Sequence, residues 1–259
     1  MTGQDVTLLA ELPAWAFAFV LVLSRVAGAC MLLPGIGEVE LPTTVRAAFA
    51  LALTLVLLPV VAPLLPAAPA DGLSAAFMVA GETIAGLWLG WLARLVMLAL
   101  PMAAQIIAGM IGLANVLQPD AQLGPQSSSL ARMFSLAAPV AIMAAGLHAL
   151  PLAALAGSYQ VLPPGLAFPS ADGVQVVVAA VASSFALALR LAAPFVLAGI
   201  VWNVALGLLS RLVPQLQVYF AAMPGQIIGG FLLLSLLAGA IVTAWLEEVQ
   251  AVFAGMPGL

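Results

Sequence analysis

Apolar residues along this chain come in long blocks. They cover 12–33, 47–66, 75–100 (continuing more weakly to 118), 133–156, 174–208 and 218–246. A helix needs about 20 apolar residues to cross a bilayer, so the pattern predicts about six membrane-crossing helical segments. The third and fifth blocks are too long for one straight span. Pro101 interrupts the third and Pro194 the fifth. Proline removes a helix hydrogen bond and clashes with the preceding turn, so kinked or broken helices are expected there. Such breaks survive at membrane depth only where protein or a cavity covers the freed backbone. The predicted class is an all-α membrane protein whose segments form bent or broken helical hairpins.

The linkers Pro34–Arg46, Ala62–Ser74, Gln118–Arg132, Gly157–Gly173 and Ser210–Gln217 are short and turn-rich. None can hold a soluble catalytic unit, so residues 1–259 read as a single membrane-embedded domain. Composition agrees. The 259 residues are 65% hydrophobic and 6% charged, against roughly a quarter charged in a soluble domain. Lipid or other apolar subunits must therefore cover the surface. The six basic residues are all Arg, and the net charge is −4 with no basic run, which argues against a nucleic-acid partner. The single Cys30 and single His148 exclude a disulfide framework and a multi-histidine metal site. No cofactor is expected.

The arginines suggest an insertion topology. Arg46, Arg132 and Arg211 fall in or beside the first, third and fifth linkers. The termini and the other two linkers carry acids instead, among them Asp5, Asp71, Asp172 and Glu248. The positive-inside rule then puts the odd linkers in the cytoplasm and both termini outside. An apolar run from Leu12 to Ser24 precedes Ala27-Gly28-Ala29-Cys30, loosely like a lipoprotein cleavage site. Asp5 and Glu11 ahead of it, with no Lys or Arg, oppose a signal peptide.

Four ionisable residues sit inside apolar runs: Arg25, Glu82, Arg94 and Arg190. Charges at that depth are costly and face a partner or an aqueous path. Glu82 has two candidate partners, Arg25 and Arg94. Twelve residues of straight helix separate Glu82 from Arg94 by roughly 18 Å, too far for direct pairing. Three Arg and one Glu serve a proton relay poorly, because Arg does not release its proton. A structural or assembly role is favoured over a transport path. Gly86-x-x-x-Gly90, Ala108-x-x-x-Gly112 and Gly225-x-x-x-Gly229 offer small faces for close helix packing, within the chain or with partners. Ser24, Ser135 and Ser158 have no His or Asp at a catalytic spacing, and no phosphate loop or paired-carboxylate pattern occurs. Catalysis is not expected.

The stretch Gln105–Ser129, QIIAGMIGLANVLQPDAQLGPQSSS, starts as an apolar helix, loses hydrophobicity near Asn115 and turns at Gln118-Pro119-Asp120 and Gly124-Pro125. From the residues alone it is either an ordinary re-entrant turn or a mobile segment closing a pore, to which adaptable Met110 is suited.

Short motifs recur in a fixed order. Ser24-Arg25-Val26-Ala27-Gly28 precedes Pro34-Gly35-Ile36-Gly37, Leu41-Pro42 and Val45-Arg46. Gly81-Glu82, Gly109-Met110-Ile111-Gly112, Gly146-Leu147-His148 and Leu162-Pro163-Pro164-Gly165 follow. The longest runs from Asn203 through Gly207 and Arg211 to Pro214-Gln215, with Pro224 beyond. In order, spacing and total length this set resembles the FliR family of flagellar type III export-gate proteins over nearly the whole chain. It departs from that family's pattern at Leu147, at Leu117–Asp120 and at Gln217.

The resemblance implies a fold of bent helical hairpins and a place in the bacterial inner membrane, in the flagellar basal body. It implies a hetero-oligomeric ring with FliP-like and FliQ-like subunits, near other membrane proteins of the export apparatus. Unfolded flagellar proteins cross that ring in transit, and the energy sources lie in other chains. Residues 105–126 align with the loop that obstructs the closed channel. Its expected gating residues are Ile107, Gly109, Met110, Gly112, Asn115, Pro119 and Gln126. Arg25, Glu82, Arg190 and Arg211 are the expected polar contacts within the chain or between subunits. An export-gate subunit of a virulence injectisome, a small secondary transporter built around Glu82 and a plain membrane anchor are the alternatives.

Overall fold

The computed structural model describes residues 3–113, 128–165, 170–212 and 218–259. These residues form seven α-helices: α1 (Gly3–Cys30), α2 (Thr43–Val61), α3 (Gly72–Met110), α4 (Ser129–Ala144), α5 (Ala149–Val161), α6 (Ser170–Leu212) and α7 (Val218–Ala254). No strand occurs among the described residues. Helix is the natural outcome for such runs, because lipid offers no hydrogen bonds and each backbone group must be satisfied within its own segment. Five stretches are long and apolar enough to cross a membrane: Leu12–Cys30, Thr43–Leu64, Gly72–Met110, Gly173–Leu212 and Val218–Ala254. The pair α4 and α5 is apolar and long enough only when taken together, and is bent by 72° at its break, the form of a broken span or a re-entrant loop.

The break does not fall where the prolines suggested. α3 continues through Pro101 and α6 through Pro194. Close packing on both sides of each proline offsets the lost hydrogen bond: Met97, Leu100, Ala103 and Ala104 are buried around Pro101, and Leu191, Ala192 and Phe195 around Pro194. The chain breaks instead at 145–148, within the fourth apolar block, which hydropathy alone renders as one span. Gly146 has a φ of 72°. Its amide donates to the Met143 carbonyl at 3.1 Å, and the Leu147 amide donates to the Ile142 carbonyl at 3.1 Å. This pair of bonds around a left-handed glycine is the Schellman helix stop. It closes α4 and lets α5 start afresh three residues later.

The chain divides into two compact units. One comprises 1–95, 142–179 and 250–259, the other 96–141 and 180–249. In the first unit α1 presents a buried stripe of Leu21, Val22, Arg25, Val26 and Ala29, and α3 presents Glu82, Ala85, Leu89, Leu92 and Ala93. These are the three- and four-residue spacings of one helix face. The two backbones touch through glycine. A Cβ on Gly86 would overlap the Arg25 carbonyl, and one on Gly90 would stand 2.7 Å from the Ala29 carbonyl. From the other side, a Cβ on Gly28 would lie 2.7 Å from the Thr83 carbonyl. The Gly86-x-x-x-Gly90 face is thus used inside the chain.

In the second unit the C-terminal part of α3 is the most enclosed segment, with Ala99, Leu100, Ala103, Ala104, Ile107 and Ala108 all buried. α6 and α7 run antiparallel beside it. Trp245 of α7, fully buried, donates its indole N–H to the Val96 carbonyl at 3.2 Å.

Candidate functional site

Two arrangements bear on function, one in each unit. The first surrounds Arg25. The Gly28–Gly86–Gly90 contact brings α1 and α3 close enough for Arg25 to reach Glu82, and both are almost wholly buried. Arg25 Nε donates to Glu82 Oε2 at 2.7 Å and Nη2 to Oε1 at 3.0 Å, a two-point pairing. Nη2 also donates to the Leu162 carbonyl at 2.8 Å, and Nη1 to Ser158 Oγ at 3.1 Å. The Tyr159 ring centroid lies 4.2 Å from the guanidinium carbon, within cation–π range. Guanidinium holds its proton at any physiological pH, and both carboxylate oxygens of Glu82 are engaged. The cluster can tie α1, α3 and α5 together, and the Tyr159 hydroxyl is buried beside it without a hydrogen-bond partner.

Arg94 takes a different acid. Its Nη2 lies 3.2 Å from Glu38 Oε2, and its Nη1 donates to the Leu32 and Gly37 carbonyls at 3.4 Å. It pins the loop that joins α1 to α2. Arg190 of α6 meets Glu248 of α7 at 3.0 Å, beside an open groove of about 500 Å³. Arg190 is 70% exposed, so this pair faces outward, unlike that of Arg25. Arg211 is exposed in the last turn of α6, where a cation suits the helix dipole.

The second arrangement is the end of α3, the described base of the 105–126 segment. The expected gating residues do not share one environment. Ile107 is buried in the core. Gly109 is exposed, with nothing within 4 Å of an added Cβ. Met110, half-buried, lies along Gly199 of α6, where a Cβ would stand 3.1 Å from its sulfur. Gly112 has a φ of 82° and turns the chain out of the helix. Asn115, Pro119 and Gln126 lie outside the described residues.

α6 and α7 supply a seat for this end. Ile111 rests on Gly230, where a Cβ would overlap its side chain. Gln226 Nε2 donates to the Met110 carbonyl at 2.8 Å. A cavity of about 220 Å³ adjoins, lined by Met110, Ile111, Phe195, Trp202, Gln226 and Gly230 among others.

Several contributors escaped sequence reasoning: Ser158, Tyr159 and Leu162 around Arg25, and Gly199, Trp202, Gln226 and Gly230 around Met110. A signal existed for Gln226. It is the one amide side chain between 218 and 249, and an amide in an apolar run needs a hydrogen-bond partner. Among the described residues, no group of His, Cys, Asp and Glu could hold a metal ion.

Comparison with known proteins gives this geometry a context. Residues 16–252 match the family described as bacterial export proteins, family 1. The chain is 34% identical over 232 residues to the flagellar biosynthetic protein FliR of Caulobacter vibrioides, covering 89% of this chain and 92% of the relative. It is 28% identical over 225 residues to that of Bacillus subtilis, covering 84% of each. To the Pectobacterium carotovorum protein of the same name it is 26% identical, covering 86% of this chain and 82% of the relative. A match of this extent, on a helical membrane-integral chain, shows that the protein belongs to family 1 of the bacterial export proteins.

Proposed function

We propose that this chain is a non-enzymatic subunit of the flagellar type III protein export gate in the bacterial inner membrane. It joins FliP-like and FliQ-like subunits in a ring around the channel that unfolded flagellar proteins cross. The observation that carries this reading is the similarity to flagellar biosynthetic proteins named FliR, which extends over about nine-tenths of both chains in the Caulobacter case.

Residues 105–126 supply the gate in this reading. Met110 at its base is apolar and half-buried, with Ile107 packed in the core behind it, and an apolar constriction holds back ions by shedding water. Gly109 and Gly112 supply space and a turn. Substrate entering the channel displaces the segment, and closure restores the seal. Arg25 and Glu82 hold helices within the chain, whereas Arg190, Glu248 and Arg211 are placed to meet neighbouring subunits. Glu82 has both oxygens committed to Arg25, which counts against a transporter site centred on that carboxylate.

The test is an in-frame deletion with complementation, read by swimming and by hook and filament proteins in the culture medium. Loss of both, with return on complementation, is the expected result. Unchanged motility and secretion would overturn the flagellar assignment and direct the same assay to injectisome secretion. A second strain lacking residues 110–112 tests the gate itself. It should leak ions or export more freely, and a tight strain with unchanged export would remove the gating role.

A further inference from the structure

The open groove between α6 and α7 holds one charge more than the chain uses. Leu237, Ala240 and Ala244 of α7 line its apolar length, and Arg190, Glu247 and Glu248 stand at its charged end. Arg190 and Glu248 satisfy each other at 3.0 Å. Glu247 is exposed and makes no hydrogen bond or ion pair among the described residues. One carboxylate is therefore left over on a helix whose span window is only 17% buried within the chain.

The surroundings say what covers it. Hydrocarbon would leave Glu247 and the outward-facing pair at a steep cost. A lipid headgroup site has apolar surface on one side of its charges and polar surface on the other. Along α6 the surface is apolar on both sides of Arg190: Phe185 and Leu189 before it, Leu197 and Ile200 after it, each more than half exposed. A cover that is apolar along its length and cationic at one point fits this surface, which is the description of a membrane helix with a single basic residue.

We propose that this groove docks a membrane helix of a neighbouring export subunit, whose Lys or Arg pairs with Glu247. The inference rests on the export-gate reading and adds to it the face and the chemistry of one contact. Ala240 and Ala244 are exposed and four residues apart, so a second backbone can come close there. The ten residues from Leu237 to Glu247 cover roughly 15 Å of α7, nearly three turns of an opposing helix. Arg190 occupies Glu248, so the site takes one cation, approaching from the Glu247 side.

The experiment uses the export complex purified from cells. Glu247→Gln keeps the shape and removes the charge, and Glu247→Lys reverses it. A close charge pair across an interface changes affinity by roughly tenfold or more. Each variant should therefore bring down far less of the FliP-like and FliQ-like subunits per chain, with Glu247→Lys the weaker binder. The chain alone should melt as the parent does, because Glu247 holds nothing within it. In the Glu247→Lys strain, each Lys and Arg in the membrane helices of the co-purified subunits is then changed to Glu in turn. One such exchange should restore both the complex and swimming.

Normal assembly of both variants overturns the docking, and so does a set of exchanges in which none restores it. Loss of a phospholipid from the Glu247→Gln complex with every subunit retained would make the groove a headgroup site, and the proposal falls there too. If the Glu247 variants melt low, Ala240→Leu takes their place, since its side chain fills the groove floor. A well-folded Ala240→Leu chain that assembles normally overturns the docking. The in-frame deletion separates the two claims. Unchanged secretion without the chain removes the export reading itself. Secretion that requires the chain, beside Glu247 variants that assemble normally, removes the docking alone.

Discussion

Replacing Glu82 with Ala would leave the Arg25 guanidinium buried with no counter-charge, only Ser158, a backbone carbonyl and the Tyr159 ring for partners. Removing one member of a buried pair costs about 3–5 kcal/mol, whereas replacing both with apolar residues of similar volume is often neutral or stabilising. The Glu82→Ala protein should thus melt well below the parent in detergent, and the Arg25→Leu/Glu82→Leu double variant should recover most of the loss. Equal damage in both would mean that the pair does more than neutralise itself. Both ends were legible in the sequence as charges inside apolar runs, and helix spacing removed Arg94 as the partner. Ser158 and Leu162 were not legible, because they lie more than 130 residues from Arg25 and no local pattern encodes that approach. Nor did Glu248 announce its bond to Arg190; its position near the C-terminus marked it as a topology signal.

Among elements, helix ends decide more than helix interiors. Gly146→Ala would force a Cβ into the left-handed region at the stop of α4, a cost of roughly 1–2 kcal/mol. A lower melting temperature is expected, with helix content retained in circular dichroism. An unchanged melting temperature would mean that the stop relaxes into another turn. At the start of α3, the Asp71 carboxylate accepts the Ser74 amide at 2.7 Å, and that bond holds its pKa below the ordinary 3.8. The group is depressed on folding, so its contribution is full above about 3.8 and fades as pH falls through the lower, folded value. Asp71→Asn keeps an acceptor without the titration. Melting curves of the two proteins should run parallel at neutral pH and converge in acid. The prolines do not break their helices, because Pro101 and Pro194 sit among buried neighbours that hold α3 and α6 together. Gly146, by contrast, is hard to see inside an apolar block, since glycine adds little to hydropathy and its φ is not written in its neighbours.

For the whole molecule, coverage is the dominant question. More than half of the α3 span window is buried within the chain, 56%, against 17% for α7. Phe77, Phe220 and Leu236 are at least 70% exposed. α7 must therefore be covered by lipid or by other proteins. The chain purified alone in mild detergent should melt several degrees below the same chain co-purified with other export proteins, because a partner that binds only the folded form stabilises it. Equal melting temperatures would mean that detergent alone satisfies these faces. Six apolar segments and their order could be read directly from hydropathy. The division into two units could not, since its borders at 95/96, 141/142, 179/180 and 249/250 run through α3, α4, α6 and α7, where composition does not change. Cys30 is the chain's single cysteine, and only 2% of its surface is accessible. The native protein is thus close to a silent background for thiol labelling. A cysteine placed at Gly109, which is exposed in the described structure, would be the one readily modified sulfhydryl, so the extent to which a water-soluble maleimide reaches it in cells would report whether other proteins or lipid cover this end of α3.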